Sequence, residues 1–357
     1  MSWRTVCSSA ILVLCLLSGC SKHQAIVTKP SDNDLNISAA ERKNQLKPKT
    51  EGNTWTQVQG PECTELKELF VSSKGTLFAV SSTGVYRILE DKSGWKQINN
   101  SIPLEGFPKM PMSEWDGKLY LTDRREIYVS GDDGFTWSIF SYFPDFDGFI
   151  IELIINQDGF FLAHEEGVMH SFGYGHPWLP LSNGLENQTI TSMSTIKKTL
   201  FVGTEDGLYR LQSNTWHRLN EEGIKSVAAM EVSNKTLYIS IAVDRSERLK
   251  ALQSNKGLNR WKDIGGKILR SDNLGDSWIE ITPKLTELYS LGEEFGLLVS
   301  GETVLAFGMQ TIRSRDGGKS WTNLGHPENP PPFPDSPIVA INDNTFTNRE
   351  TIKYYVQ

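Results

Sequence analysis

The sequence predicts an all-β fold, a seven-bladed β-propeller with four-stranded blades. Three observations predict it: tryptophans recurring at a near-constant spacing, short strand-like runs separated by turn residues, and an eight-residue motif that occurs three times. The chain has 357 residues, 38% hydrophobic and 22% charged. It is too apolar for disorder and too polar for a multi-span membrane protein. Its 30 Gly and 16 Pro fit many tight turns. A net charge of −7 offers no basic field to gather nucleic acid, so no nucleic-acid partner is expected.

The N-terminus reads as an address. Met1 to Arg4 is a short cationic start, and an apolar run over residues 6–17 follows, closing on Leu17, Ser18, Gly19 and Cys20. The run is shorter than the ~20 residues a membrane-spanning helix needs and fits the apolar region of a signal peptide. The Leu-Ser-Gly-Cys tetrad resembles the lipobox of bacterial lipoproteins. That resemblance implies a signal peptide over 1–19, cleavage before Cys20, lipidation of Cys20 and a place in the bacterial cell envelope. Ser21 is not the Asp that holds many lipoproteins at the inner membrane, so the expectation is the outer membrane. Cys7 and Cys15 leave with the signal, and Cys63 remains as a lone thiol with no partner for an internal disulfide and no zinc spacing. Residues 20–53 then read as the lipidated Cys and a flexible polar tether, because they carry no apolar periodicity.

From residue 54 to 357 the chain reads as the propeller. Trp55, Trp95, Trp137, Trp178, Trp216, Trp278 and Trp321 are separated by 40, 42, 41, 38, 62 and 43 residues, and each opens a strand-like run. A period of about 40–45 residues is that of a four-stranded blade. Unit four is the cleanest: strand-like runs over 190–196, 199–203 and 207–211 precede Trp216. First strands are expected near 67–72, 109–115, 150–155, 190–196, 226–232, 296–301 and 337–341, with Pro108 and Pro111 interrupting the second of them. Seven first strands and seven Trp strands predict seven blades. The ring would close through one blade shared between Trp55 at the start and residues 351–356 at the end, leaving no open edge. The long fifth interval is a basic insertion over 243–267 on an otherwise acidic protein.

The repeated motif is Ser-x-Asp-x-Gly-x-Ser/Thr-Trp. Its copies are Ser130, Asp132, Gly134 and Trp137; Ser271, Asn273, Gly275 and Trp278; and Ser314, Asp316, Gly318 and Trp321. An Asp or Asn side chain can accept backbone N–H bonds from residues just ahead, Gly takes positive φ, and Trp anchors the next strand. A degenerate copy keeps Ser171, Gly175 and Trp178 but has Gly173 where Asp belongs. The motif resembles the Asp-box, or BNR repeat, of sialidase-like propellers, and the whole body resembles the photosystem II assembly factors of that kind. The resemblance implies that the boxes are scaffold on the outer, lower side and that ligands meet the opposite face. Arg87, Arg210, Arg270 and Arg313 share one register just ahead of the boxes, which makes them scaffold too.

On the presumed ligand face, the candidate rim residues are Arg124, Arg125, Glu165, Glu166, Glu205 and Asp206, with four aromatic residues in the loop 141–149 beside them. Such a mixed rim fits an envelope protein or a glycan, with the insertion 243–267 as a second contact and the membrane reached through the lipid alone. No catalytic constellation, metal-ligand set or cofactor motif is legible. His164, His170 and His176 recur every six residues, but no third ligand motif accompanies them. The expected function is a non-catalytic binding or scaffold module. The alternative is a glycoside hydrolase or sialidase-like enzyme, which would need two facing carboxylates. The likeness of Tyr86, Arg87 and Ile88 to a sialidase motif lacks its Pro.

Overall fold

A computed structural model describes residues 55–57, 61, 66–88, 94–99, 102, 109–123, 125–219, 224–242, 266–283, 296–307, 311–324, 338–342, 345–348 and 353–355. Cys20, the tether, Arg124 and most of the insertion, 243–265, lie outside them. Strand β1 (Trp55–Gln57) precedes six four-stranded antiparallel sheets, here called blades 1 to 6. Blade 1 holds β2 (Leu66–Val71), β3 (Leu77–Ser81), β4 (Gly84–Ile88) and β5 (Trp95–Asn99). Blade 2 holds β6 (Met112–Trp115), β7 (Lys118–Thr122), β8 (Glu126–Ser130) and β9 (Ser138–Tyr142). Blade 3 holds β10 (Ile150–Asn156), β11 (Gly159–His164), β12 (Gly167–Ser171) and β13 (Leu179–Pro180). Blade 4 holds β14 (Ile190–Ile196), β15 (Thr199–Thr204), β16 (Gly207–Gln212) and β17 (Thr215–Arg218). Blade 5 holds β18 (Val227–Ser233), β19 (Thr236–Ile241), β20 (Lys267–Ser271) and β21 (Ile279–Glu280). Blade 6 holds β22 (Gly296–Ser300), β23 (Thr303–Phe307), β24 (Thr311–Ser314) and β25 (Thr322–Asn323). Three short strands end the chain: β26 (Ile338–Asn342), β27 (Thr345–Asn348) and β28 (Lys353–Tyr355).

The propeller and its four-stranded blades stand, but the expected number of blades does not: there are six, not seven. The last strands make two separate two-stranded sheets, β26–β27 and β1–β28, instead of a seventh four-stranded blade. The two ends of the chain do meet, with Trp55 opposite Tyr355. Counting Trp starts overstated the blades because Trp55 opens a strand of only three residues, and its partner is equally short. The expected first strands fall within a few residues of β2, β6, β10, β14, β18, β22 and β26. β6 begins directly after Pro111, which has no N–H to give a ladder. Lys267 belongs to β20 and not to the insertion.

The core lies between blades. Second strands are buried on both faces, so they read as continuous apolar runs: every residue of β3 and of β11 is buried. Along each, alternate side chains serve different neighbours. Phe160 and Leu162 pack with Tyr120 and Ile127 of blade 2, whereas Phe161 and Ala163 pack with Leu200 and Val202 of blade 4. Burying such a side chain contributes roughly 2 kcal/mol, and each blade is therefore held mainly by the two beside it.

The repeated motif forms the turn from third to fourth strand in blades 2, 5 and 6. In each copy the Ser hydroxyl accepts the Gly N–H at 2.8–2.9 Å and donates to the Asp or Asn Oδ1 at 2.7–2.9 Å. That Oδ1 also accepts the backbone N–H four residues on. Such bonding draws the Asp316 carboxyl down to about 2, chiefly through the Ser320 hydroxyl and N–H. Three of the four third-strand arginines explain their shared register, reaching the motif turn of the following blade. Arg87 pairs with Asp133 at 2.9 Å, Arg210 bonds Leu274 O at 2.8 Å and Asp276 at 2.6 Å, and Arg270 bonds Gly317 O at 3.3 Å.

Candidate functional site

Antiparallel meanders put the second-to-third-strand turns at one end of the blades, the rim, and the other two turns at the opposite end. Of the candidate rim residues, Arg125, Glu165, Glu166, Glu205 and Asp206 are described, and they lie in three such turns. Most are engaged within the chain. Arg125 pairs with Asp145 of the loop 141–149. The Glu165 carboxylate accepts Phe149 N–H at 3.3 Å, and its backbone carbonyl accepts Ile190 N–H of blade 4 at 2.8 Å. Asp206 pairs with Arg218 at 3.2 Å, and Glu205 N–H donates to Thr189 O at 3.1 Å. Glu166 is exposed. The charges expected to greet a ligand thus also hold their turns to the loop 141–149 or to the adjacent strand.

The aromatic loop beside them divides by position. Phe143 and Phe146 stack at 5.8 Å, and Phe146 lies on the His164 imidazole at 4.2 Å and 21°. Tyr142 and Phe149 remain exposed. His164 is 8% exposed, and its Nδ1 has no hydrogen-bond partner. Burial pushes its pKa down to about 4, so it is neutral at physiological pH. His170 faces elsewhere, stacked on Phe161 at 4.6 Å and bonded to Asp158 O at 3.0 Å. Among the described residues no group of His, Cys, Asp or Glu is placed to hold a metal ion.

A second cluster was not legible in the sequence. The first strands β2, β10, β14 and β18 share a register shift at the same point, between Leu66 and Glu68, Ile150 and Glu152, Ile190 and Ser192, and Val227 and Ala229. Such bulges re-aim side chains. Glu68 and Glu152 therefore occupy equivalent places, each accepting the next residue's N–H at 3.2–3.3 Å. Lys109, just before β6, donates to Ile151 O at 2.7 Å and lies 3.5 Å from Glu152. Glu231 of β18 completes the group. Lys109 and Glu152 keep 41% and 32% of their side-chain surface open. Burial, with Glu152 nearby, raises the carboxyls of both Glu68 and Glu231 to about 8. Burial works against the Lys109 ammonium, but Glu152 and Glu68 outweigh it and hold its pKa above the usual value. Each acid is isolated in an apolar strand, so only equal register on different first strands could have signalled the cluster.

No protein-family model and no curated protein matches the chain. Solved structures do match in fold. A structure of YCF48 bound to D1 peptide has a TM-score of 0.60 at 14% identity, over 87% of this chain and 99% of that one. Virginiamycin B lyase from Staphylococcus aureus has a TM-score of 0.58 at 12% identity, over 84% and 97%. The GH74 enzyme of Niastella koreensis has a TM-score of 0.58 at 15% identity, over 84% of this chain and 53% of that enzyme, so the chain spans about half its length. At these identities the likeness is one of fold, and it is shared by binding proteins and enzymes.

Proposed function

We propose that the chain is a bacterial envelope lipoprotein, anchored through Cys20, whose Asp-box propeller acts as a non-catalytic binding or scaffold module for a protein or glycan partner. One observation carries this reading: ion pairs and backbone bonds tie the rim turns to the segments beside them, Arg125 and Glu165 to the loop 141–149, and Glu205 and Asp206 to Thr189 and Arg218 of blade 4. The partner would meet a preformed surface and would not have to order it, which lowers the cost of binding. A propeller of matching length bound to a peptide supports the protein-partner branch. The lipobox-like tetrad at Leu17–Cys20 and the polar stretch after it support the anchor.

The test is charge reversal at Arg124 and Arg125, read by cross-linking in intact cells and by thermal melting. The expected outcome is loss of the cross-linked partners with only a small fall in melting temperature, because the Arg125–Asp145 pair that is broken is an exposed one. An unaltered set of partners would refute this placement of the surface.

A glycoside hydrolase is the second reading, and a specific feature favours it: Glu231 carries a raised pKa with Glu152 beside it, and a protonated acid next to a second carboxylate is what such catalysis uses. Lys109 holding Glu152 weighs against it. Turnover of aryl glycosides that disappears in both Glu152→Gln and Glu231→Gln would establish it in place of the first reading.

A further inference from the structure

The exposed apolar side chains are unevenly placed. Of the nine large exposed hydrophobic residues among those described, eight lie between Trp115 and Leu179, in blades 2 and 3. Six of the eight stand at the end opposite the rim. Trp115 closes β6, Phe135 lies in the motif turn of blade 2, Ile139 and Leu179 begin the outermost strands, and Phe172 and Tyr174 occupy the β12–β13 turn. Contacts join neighbouring blades at this end: Lys74 lies 3.9 Å from Asp133, Lys198 lies 3.3 Å from Asp158, Ser233 bonds Gly301 O at 3.1 Å, and the Tyr174 ring of blade 3 lies 5.7 Å from that of Phe140 in blade 2.

The β12–β13 turn is the degenerate motif copy, and its changes all act in one direction. Gly173 replaces the Asp, and Pro177 replaces the Ser or Thr that the Asp would bind. Ser171 keeps only bonds to backbone groups within the turn. At the first two of the motif's three variable places stand Phe172 and Tyr174, 68% and 75% exposed. The intact copies carry Gly131 and Asp133, Asp272 and Leu274, or Arg315 and Gly317 there. A scaffold turn has become an aromatic display, and contiguous exposed apolar surface of this kind marks an interaction site.

The same end differs from the rim in charge. Its first-to-second-strand turns carry exposed Lys74, Lys118, Lys197, Lys198 and Lys235 against Asp116, Asp158 and Glu302. Its motif acids are engaged: Asp132 and Asp316 by motif hydroxyls, Asp133 by Arg87, Asp272 by Arg270 and Asp276 by Arg210. The described rim turns carry Glu165, Glu166, Glu205 and Asp206 against Arg125. The exposed rings of blades 2 and 3 are thus flanked by Lys74 of blade 1, Lys118 of blade 2 and Lys197 and Lys198 of blade 4. Aromatic rings with lysines around them are the composition that settles at the boundary of an anionic bilayer.

We propose that the motif end of blades 2 and 3, centred on Phe172 and Tyr174, rests on the phospholipid surface that carries the anchor, leaving the rim facing away from the membrane. The proposal rests on the lipoprotein reading. A coil the length of residues 21–54 spans roughly 30 Å, so the body never leaves the neighbourhood of its own bilayer, and a weak interfacial affinity suffices to orient it. A soluble partner at the same patch would have to compete with that permanently available surface.

Hydroxyl-radical footprinting of the lipidated full chain in phosphatidylethanolamine–phosphatidylglycerol vesicles tests this without altering the patch. Tyr142, exposed at the rim end, is the internal reference. The expected result is that oxidation of Tyr174 relative to Tyr142 falls about tenfold from the Cys20→Ala chain in buffer to the lipidated chain in vesicles, and that Phe172 follows. An unchanged ratio would overturn the proposal. So would protection that appears without vesicles and grows with protein concentration, since a second copy would then cover the patch. Detergent-phase partitioning of the wild type separates the two readings. A chain that stays in the aqueous phase defeats the anchor itself, whereas a chain that partitions but keeps Tyr174 reactive defeats only the membrane contact.

Discussion

At the scale of single residues, the motif Asp is a joint and not a ligand. Asp132 accepts the Thr136 N–H and hydroxyl at 2.8 and 2.6 Å and the Ser130 hydroxyl at 2.8 Å. Asn273 does the same work in blade 5, with its amide turned to donate to Ser277 at 2.9 Å. Asp132→Asn should therefore cost under about 0.5 kcal/mol in denaturant unfolding, while Asp132→Ala should cost about 1–2 kcal/mol, since it strands donors that had partners. His164 makes a different prediction. Its folded pKa, about 4, lies below the ordinary 6.5, so the unfolded chain takes up a proton that the folded one refuses. The stability this involves is complete above about 6.5 and drains away as pH falls toward 4. His164→Gln should flatten that acid limb by up to about 3 kcal/mol, at roughly 1.4 kcal/mol per pKa unit. An identical pH–stability curve for the variant would show that the imidazole takes up its proton normally.

At the scale of elements, the motif turn explains how neighbouring blades are spaced. Gly318 has φ +94°, and a Cβ there would lie 2.5 and 2.6 Å from Ile281 carbons in blade 5. Gly134 meets Ile98 of blade 1 in the same way, at 2.8 Å. Conformation and close approach both require Gly, so the motif keeps it for two reasons. Gly318→Ala should lower stability by about 2 kcal/mol or more, from backbone strain added to overpacking, read as a fall in melting temperature. The third-strand arginines complete the joint by reaching the same turns from the preceding blade. Their regular spacing was legible in the sequence as scaffold. The object each one clasps was not, because Arg210 and Asp276 are 66 residues apart.

At the scale of the whole molecule, the ring brings acids from distant strands into one confined interior. Glu68 and Glu231 titrate near 8, above the carboxylate range, because burial there disfavours charge. A raised folded pKa favours folding below the ordinary carboxyl value, and that contribution is lost as pH climbs from about 4.5 through 8. Glu231→Gln should thus hold its stability at pH 9 better than the wild type while matching it at pH 5, as urea midpoints at the two values would record. The reverse ranking at pH 9 would mean that Lys109 and not burial governs Glu231. Above about 4.5 the loss from these two carboxyls outweighs the gain from His164, so the three groups together favour the folded state most near pH 4.5.

The sequence by itself determined the blade unit. Tryptophan period, motif turns and apolar second strands are local patterns whose hydrogen bonds close within about eight residues or one hairpin, so they are readable in order along the chain. Tertiary structure alone decided the number of blades, because whether short terminal strands such as Trp55–Gln57 and Lys353–Tyr355 complete a four-stranded sheet depends on partners some 300 residues away. It alone assembled Lys109 with Glu68, Glu152 and Glu231, since convergence in a ring depends on bulges and blade rotation that leave no mark at any one position. It also gathered the exposed aromatics of blades 2 and 3 at one end. Phe172 and Tyr174 look like a failed motif copy in sequence, and only the direction of their turn makes them a surface.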